Sequence, residues 1–547
     1  MFKNINKILV CLFILAVLLT STFAQKGATA GAANFQKGII LVKSNDFLGA
    51  IGEFEKAIKA NPKYYEAFVA LGQTRQQLQL FSSAEDAFRQ AALLRPTSPE
   101  PHLLLGSLFQ QLNNANGALT EYQEALKVAP NSAEAHSAVG FILASSNQIP
   151  EAIKEFETAI KLKPTFVQAH FYLGTAKLFS DDAAGAIKSL LQVTKLAPTN
   201  TEALYYLGTA YGKTGDLNSA IASYKQAIKL QPTFLEARQS LGQAYMATDD
   251  LDSAIVEYRE IVKQKPDYVQ GYNDLGLALI EKRTPDEAIE IFHKALTLEP
   301  SNTLVLHNLG IALIQKSDYV AAVKNYQELI QLAPNDAVAY YNLSLALKNQ
   351  DKFAEALVAV NKAIELEPDR LPELHYTHGV VLMQLAKLDE AAEAFQKSIA
   401  IKPDYGESIY TLGTIRQQQG KTDEAISLFR AALKFLPEAP EIHNTLGAAL
   451  RSKGDMEGAK AELQEAARLN KIKTNRQAAT FALNTGIANL NAGKIDDAIA
   501  QFEKVTQLMP DSPEGYLNLA KALQAKGKKV EANAALQKAK SLKPNPK

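Results

Sequence analysis

Phosphate, metal and nucleophile chemistry each require particular side chains at fixed spacings, and the sequence contains a few such groupings. Gly208-Thr-Ala-Tyr-Gly212-Lys213-Thr214 approaches a loop whose backbone N–H groups and lysine could cradle a phosphate. It is one residue short of GxxxxGK[ST], and no strand pattern precedes it. His102, His136 and His170 stand 34 residues apart, a spacing that could build a ladder of imidazole ligands. Packed helices lie about 8–10 Å apart, too far for three such rings to share one ion, so these are read as packing residues. His375 and His378 share a helical face without nearby cysteine or paired acids and are read in the same way. Glu290-x-x-His293 is half of a di-metal motif that lacks its second helix. Neither GxSxG nor HExxH occurs. The expectation is therefore a chain that is not an enzyme, with no catalytic residue, no metal and no cofactor.

Charge and composition narrow the remaining classes. Lys+Arg and Asp+Glu both number 58, so there is no net positive charge to follow a phosphate backbone, and nucleic acid is an unsuitable partner. Hydrophobic residues make up 47% of the 547, enough for a core and too many for a disordered chain. A single cysteine excludes a disulfide framework and a cysteine-rich zinc site within the chain.

The first 24 residues have the layout of a secretory signal. Lys3 and Lys7 precede the apolar run Ile8 to Leu19, and Thr22-Phe23-Ala24 closes it on a small residue before Gln25. The run is short for a membrane span. Cleavage after Ala24 is expected, with an uncleaved anchor as the alternative, and the rest of the chain is expected in the periplasm or outside the cell. Cys11 lies in mid-run as an ordinary apolar residue. Without the signal the chain has no cysteine and is indifferent to an oxidising compartment. Residues 25–30 read as a flexible lead-in.

What must position any working side chain is a repeat. Pro62, Pro96, Pro130, Pro164, Pro198 and Pro232 recur every 34 residues, and the series continues through Pro368, then Pro403, Pro437, Pro510 and Pro544. Gly38, Gly72, Gly106 and their successors follow the same period, with Ser344 and Ala520 as exceptions. Twelve residues after each of these small residues stands an alanine, from Ala50 to Ala532. Fifteen units of 34, with one extra residue at Leu371 and five at 474–478, account for the chain from Gly31 to Pro546. The domain plan is thus units 1–13 over 31–473, an insertion at 474–478, and units 14–15 over 479–547.

Each unit reads as a helical hairpin. In residues 201–234, Ala203, Leu207, Ala210 and Tyr211 recur at helical spacing, as do Ala220, Ile221, Tyr224, Ala227 and Ile228. Gly212 to Asp216 is turn chemistry between them, and Pro232 stops the second helix. Gly208 lies inside the first helix, where glycine costs about 1 kcal/mol relative to alanine. Its recurrence predicts close packing against the helix that carries Ala220. One hairpin cannot bury both faces, so the units must stack into an all-α solenoid.

With these residues in place, the chain resembles tetratricopeptide repeat (TPR) proteins. Leu207-Gly208, Ala220, Tyr224, Ala227 and Pro232 match the family pattern position for position. The resemblance implies a right-handed superhelix whose concave groove binds protein or peptide segments. Groove-lining positions carried over from the family are Phe171, Tyr172, Tyr205, Tyr206, Asn273, His307, Asn308, Tyr341, Asn342, Tyr376, Tyr410 and Asn444. Phe171, Tyr172, Tyr205 and Tyr206 are expected to form one patch. Units 2 to 14 carry no Lys or Arg at the lining positions, which does not support a clamp for a chain's terminal carboxylate. The asparagines resemble the ladder in the repeat half of O-linked N-acetylglucosamine transferases, whose catalytic half is not found in this sequence. Lys471 stands where the repeat expects proline, which places the continuity of units 14 and 15 with the stack in question.

Unit 15 carries eight lysines, Lys521 to Lys547, against Glu514 and Glu531, and is expected to act as a solvating basic cap. An acidic partner or anionic lipid is the alternative reading, and membrane contact is otherwise expected only through an uncleaved signal. The functional expectation is an exported, non-enzymatic scaffold that binds protein segments in envelope assembly or secretion. An accessory subunit of a polysaccharide-secretion or glycosyltransferase complex is the alternative.

Overall fold

Alternation of a proline stop with a turn-rich centre, every 34 residues, gives 29 helices among the described residues, α1 (Ala32–Lys43) to α29 (Lys529–Ser541). This computed structural model describes residues 30–368 and 371–542. The signal segment, Cys11 and Pro544 lie outside them. Among the described residues no strand occurs and no helix is long and apolar enough to cross a membrane. The helices fall into two compact bodies, residues up to Leu298 and residues from Glu299 onward.

Repeat 6 shows why the unit folds as it does. α11 (Thr201–Lys213) and α12 (Leu217–Leu230) are joined by a turn in which Gly215 takes φ 82°. The same place in every repeat adopts a left-handed conformation, and in ten repeats the residue is not glycine; Gln79, Arg283 and Ala386 are examples. Asp216 then caps α12, its side chain accepting from the Ser219 N–H at 3.1 Å. The glycine of the first helix is explained by an aromatic ring of the second. A Cβ built on Gly208 would lie 2.6 Å from Tyr224 Cε1, so the ring occupies the space that any side chain there would need. Where the glycine is replaced, the ring is replaced too: buried Ser344 lies in the repeat that has Val360, and Ala520 in the one that has Leu536. The alanine of the second helix, Ala220 or Ala254, is fully buried.

Within each body, except between repeats 13 and 14, the second helix of one repeat packs on the first helix of the next. First helices of neighbouring repeats also approach one another, in repeats 4 to 7 and again in repeats 9 to 11, more closely than second helices do. The stack in each body therefore curves with its first helices on the inside.

The end of repeat 13 departs from the sequence expectation. Its second helix, the five-residue insertion and the first helix of repeat 14 form one continuous helix, α26 (Met456–Asn491), 36 residues long. The physical reason is that residues 470–478, NKIKTNRQA, contain neither proline nor glycine, so nothing removes a backbone donor or favours a turn.

Candidate functional site

The fifth and sixth residues of the first helices hold most of the candidate side chains, and the two bodies place them differently. In repeats 5 and 6, Phe171, Tyr172 and Tyr206 are buried in a continuous core cluster with Phe141, Phe156 and Leu190, and Tyr205 is half-buried at its edge. Ring centroids lie 6.0 Å apart for Phe171–Tyr172, 5.8 Å for Phe171–Tyr206 and 5.2 Å for Tyr205–Tyr206. The four rings do meet, but as part of the core rather than as an open lining. The cause is size: a large ring at the sixth position reaches down between repeats, where Tyr172 also contacts Phe141 and Phe156. Burial raises the Tyr172 hydroxyl to about 12, and Gln168 Nε2 donates to it at 3.0 Å.

Asn273 and Asn308 are buried as well, and Asn273 hydrogen-bonds the neighbouring Asp274. Asn342 lies near the hydroxyl of Tyr326, on the second helix of repeat 9, which is buried without a hydrogen-bond partner. His307 stands edge-on to the Tyr326 ring at 6.2 Å, and burial lowers its pKa. Asn444 alone of these asparagines is exposed.

Repeats 10 to 13 carry a different arrangement, which the sequence reading did not foresee. Tyr341, Tyr376 and Tyr410 are half-buried, and each forms a rung with a threonine one repeat further on, Thr377, Thr411 and Thr445, the last pair joined by a hydrogen bond. The Tyr410–Thr445 distance is 3.1 Å. Thr445 donates its own proton to the Glu441 carbonyl, so the tyrosine hydroxyl is the donor of the pair. Beside this ladder, at the second position, run Glu373, Glu407 and Glu441. One carboxylate oxygen of Glu373 is buried without a protein partner. Near it, Tyr405 has its pKa raised, first by burial and then by Glu373 and Glu407. A tyrosine at position five with a threonine at position six of the next repeat was the signal that could have found the ladder.

The histidines singled out for metal chemistry have structural partners. His136 Nδ1 lies 2.6 Å from Glu155, and its Nε2 donates to the Pro130 carbonyl at 3.0 Å. His102 pairs with Glu121, and His170 Nε2 donates to Pro164. Arg238 makes the same clasp, to Glu257 and the Pro232 carbonyl. The side chain at this position thus ties its repeat to the proline loop before it. Among the described residues no group of three His, Cys, Asp or Glu is placed to hold a metal ion.

Stacked helical hairpins with a wall of half-buried tyrosines, threonines and carboxylates define the class: a helical-repeat protein that offers a long surface of first helices. Models described as tetratricopeptide repeat match residues 35–100, 171–233 and 410–471, residues 213–274, and six single repeats at 99–132, 269–302, 304–336, 337–370, 372–405 and 513–546. One described as TPR repeat matches 140–178 and 490–527. The chain belongs to the tetratricopeptide repeat family. No curated protein matches it. Among solved structures, MamA is 26% identical over 30% of this chain and 95% of its own, with a TM-score of 0.29. A tetratricopeptide repeat protein from Parabacteroides merdae ATCC 43184 is 18% identical over 46% of this chain and 98% of its own, with a TM-score of 0.38. The Cut9–Hcn1 assembly is 15% identical over 94% of this chain and 99% of its own, with a TM-score of 0.35.

Proposed function

We propose that this chain is an exported, non-enzymatic scaffold that holds an extended protein segment along the first helices of repeats 10 to 13, in envelope assembly or secretion. The observation that carries the reading is the row Glu373, Glu407 and Glu441 beside Tyr341, Tyr376 and Tyr410, in a wall without Lys or Arg at the lining positions. Carboxylates there accept hydrogen bonds from a segment's backbone N–H groups and attract its lysines or arginines. The half-buried tyrosines add apolar area at low conformational cost. Of the asparagines that suggested a glycan-linked alternative, only Asn444 is exposed.

Fluorescence anisotropy with extended peptides tests the reading. Lysine- and arginine-containing peptides should bind more tightly than acidic ones of equal length, and high salt should weaken them. Glu373→Gln with Glu407→Gln should cost about 1–3 kcal/mol of affinity. Equal binding of acidic and basic peptides would sink the proposal. For export, N-terminal sequencing of protein recovered outside the cytosol should begin at Gln25, and intact Met1 on all of it would contradict cleavage.

A further inference from the structure

The straight helix α26 leaves a repeat-to-repeat interface unmade. In repeats 10 to 13 and 15 the third residue of the first helix is buried: Ala339, Leu374, Ser408, Ile442 and Gly515. Gly515 shows what it packs on, since a Cβ there would lie 2.8 Å from Val505 and 3.5 Å from Thr506, both on the preceding second helix. The corresponding residue of repeat 14 is Phe481, and it is 72% exposed. The tenth residue behaves alike: Val381, Ile415, Ala449 and Ala522 are buried, whereas Ala488 is exposed.

The complementary half is bare too. In repeats 11, 12 and 14, Phe395, Phe429 and Phe502 of the second helix are fully buried, but their counterpart Leu463 in repeat 13 is 38% exposed. Leu463, Met456 and Ala467 line a shallow 340 Å³ cavity on that face. Phe481 lines another, of 1020 Å³, with Phe435, Leu436 and Ile472. Both halves of one stacking interface thus exist in the chain, and α26 holds them apart. Ala467 and Phe481 are the pair that would touch, by analogy with Thr506 and Gly515, yet 14 residues of helix separate them by about 21 Å.

We propose that a second copy of this chain completes the interface, the two α26 helices pairing antiparallel about residues 474–478 so that repeat 14 of each chain stacks on repeat 13 of the other. The antiparallel sense is the one that successive helices adopt in a hairpin stack, and one twofold axis satisfies both faces at once. Residues 477–491 of α26 contain no charged side chain, which suits burial on both sides. Lys473 and Arg476 near the axis share the larger cavity with Glu438 and Glu441, which supply opposite charge.

Light scattering of the purified chain should give twice the mass of one chain. In a Cys11→Ser background, Ala467→Cys with Phe481→Cys should form a disulfide-linked dimer on oxidation, and neither single variant should crosslink. Within one straight α26 the two sulfurs cannot meet, because a disulfide needs Cα atoms within about 7 Å. Deleting 474–478 together with Lys471→Pro restores the 34-residue period and should give a monomer. A monomeric mass for the unaltered chain, a disulfide formed within a monomer, or a dimer that the paired cysteines fail to link would each overturn the proposal.

Discussion

Repeats 5 and 6 and repeats 10 to 12 carry aromatic residues at the same place on their first helices, yet the side chains do different things. In the first group the neighbouring sixth residue is Tyr172 or Tyr206, and these rings with Phe171 drop into the core. In the second group the sixth residue is Asn342, Thr377 or Thr411, and Tyr341, Tyr376 and Tyr410 stay half-buried beside the threonine of the next repeat, which Tyr410 hydrogen-bonds. Beside Tyr172, Phe171 builds the core; beside Asn342, Thr377 or Thr411 the tyrosines stay at the wall, as Tyr205 stays at the edge of its cluster. A surface-lining pattern inherited from a repeat family is therefore conditional on its neighbours.

The comparison breaks most visibly at Tyr206. Tyr206→Ala should destabilise the chain by about 3–5 kcal/mol, as emptying a buried aromatic site does, while Tyr376→Ala should cost distinctly less. Thermal unfolding of the two variants measures the difference, and equal losses would erase it. Ala254→Leu in repeat 7 comes next, at about 1–3 kcal/mol, because the fully buried Ala254 leaves no room for a larger side chain. Hydrogen exchange should report loosening around repeats 6 to 8 and leave the tyrosine–threonine ladder protected, since repeats couple chiefly to neighbours.

Within the ladder, Tyr410→Phe removes the proton given to Thr445 and should cost about 1 kcal/mol; a neutral outcome would make that bond ornamental. Acidification should also act on this region. His378 of repeat 11 is held near 4 by burial, with His375, Lys397 and Lys387 adding positive charge nearby. Between about 4 and its ordinary 6.5 the unfolded chain binds the extra proton, so this histidine's contribution to stability falls as pH drops through that window. His378→Leu should flatten the acid side of the stability profile, measured by denaturant titration between about pH 4 and 7. The smallest effect expected is a gain. Ala386 sits at φ 57°, where a β-carbon is strained, and Ala386→Gly should stabilise by up to about 1 kcal/mol in denaturant titration.

Much of the fold was legible because its signals are local. Pro232, Gly208, Ala220 and the turn after Gly212 each act within one hairpin, and a period of 34 repeats the same local statement along the chain. The glycine–aromatic fit was legible in part: Gly208 announced a close approach, but that the Tyr224 ring fills it depends on how the two helices cross. The candidate site was less legible. Tyr205 and Tyr206 are adjacent in sequence and alike in chemistry, and only packing between repeats separates the half-buried ring from the buried one. Their partners lie a full repeat away, as Phe171 lies from Tyr206 and Thr445 from Tyr410.

The sequence by itself determined the hairpins, their number and the exclusion of charged bases from the first-helix wall, because helix propensity, turns and stops are properties of neighbouring residues. The tertiary structure decided what each repeated position does. Burial is set by the side chains that arrive from the next repeat, so the same position is core at Phe171 and wall at Tyr376. It also decided the fate of Phe481: the missing proline at Lys471 was plain to read, but that the continuous helix leaves Phe481 uncovered is a property of how repeats 13 and 14 fail to stack.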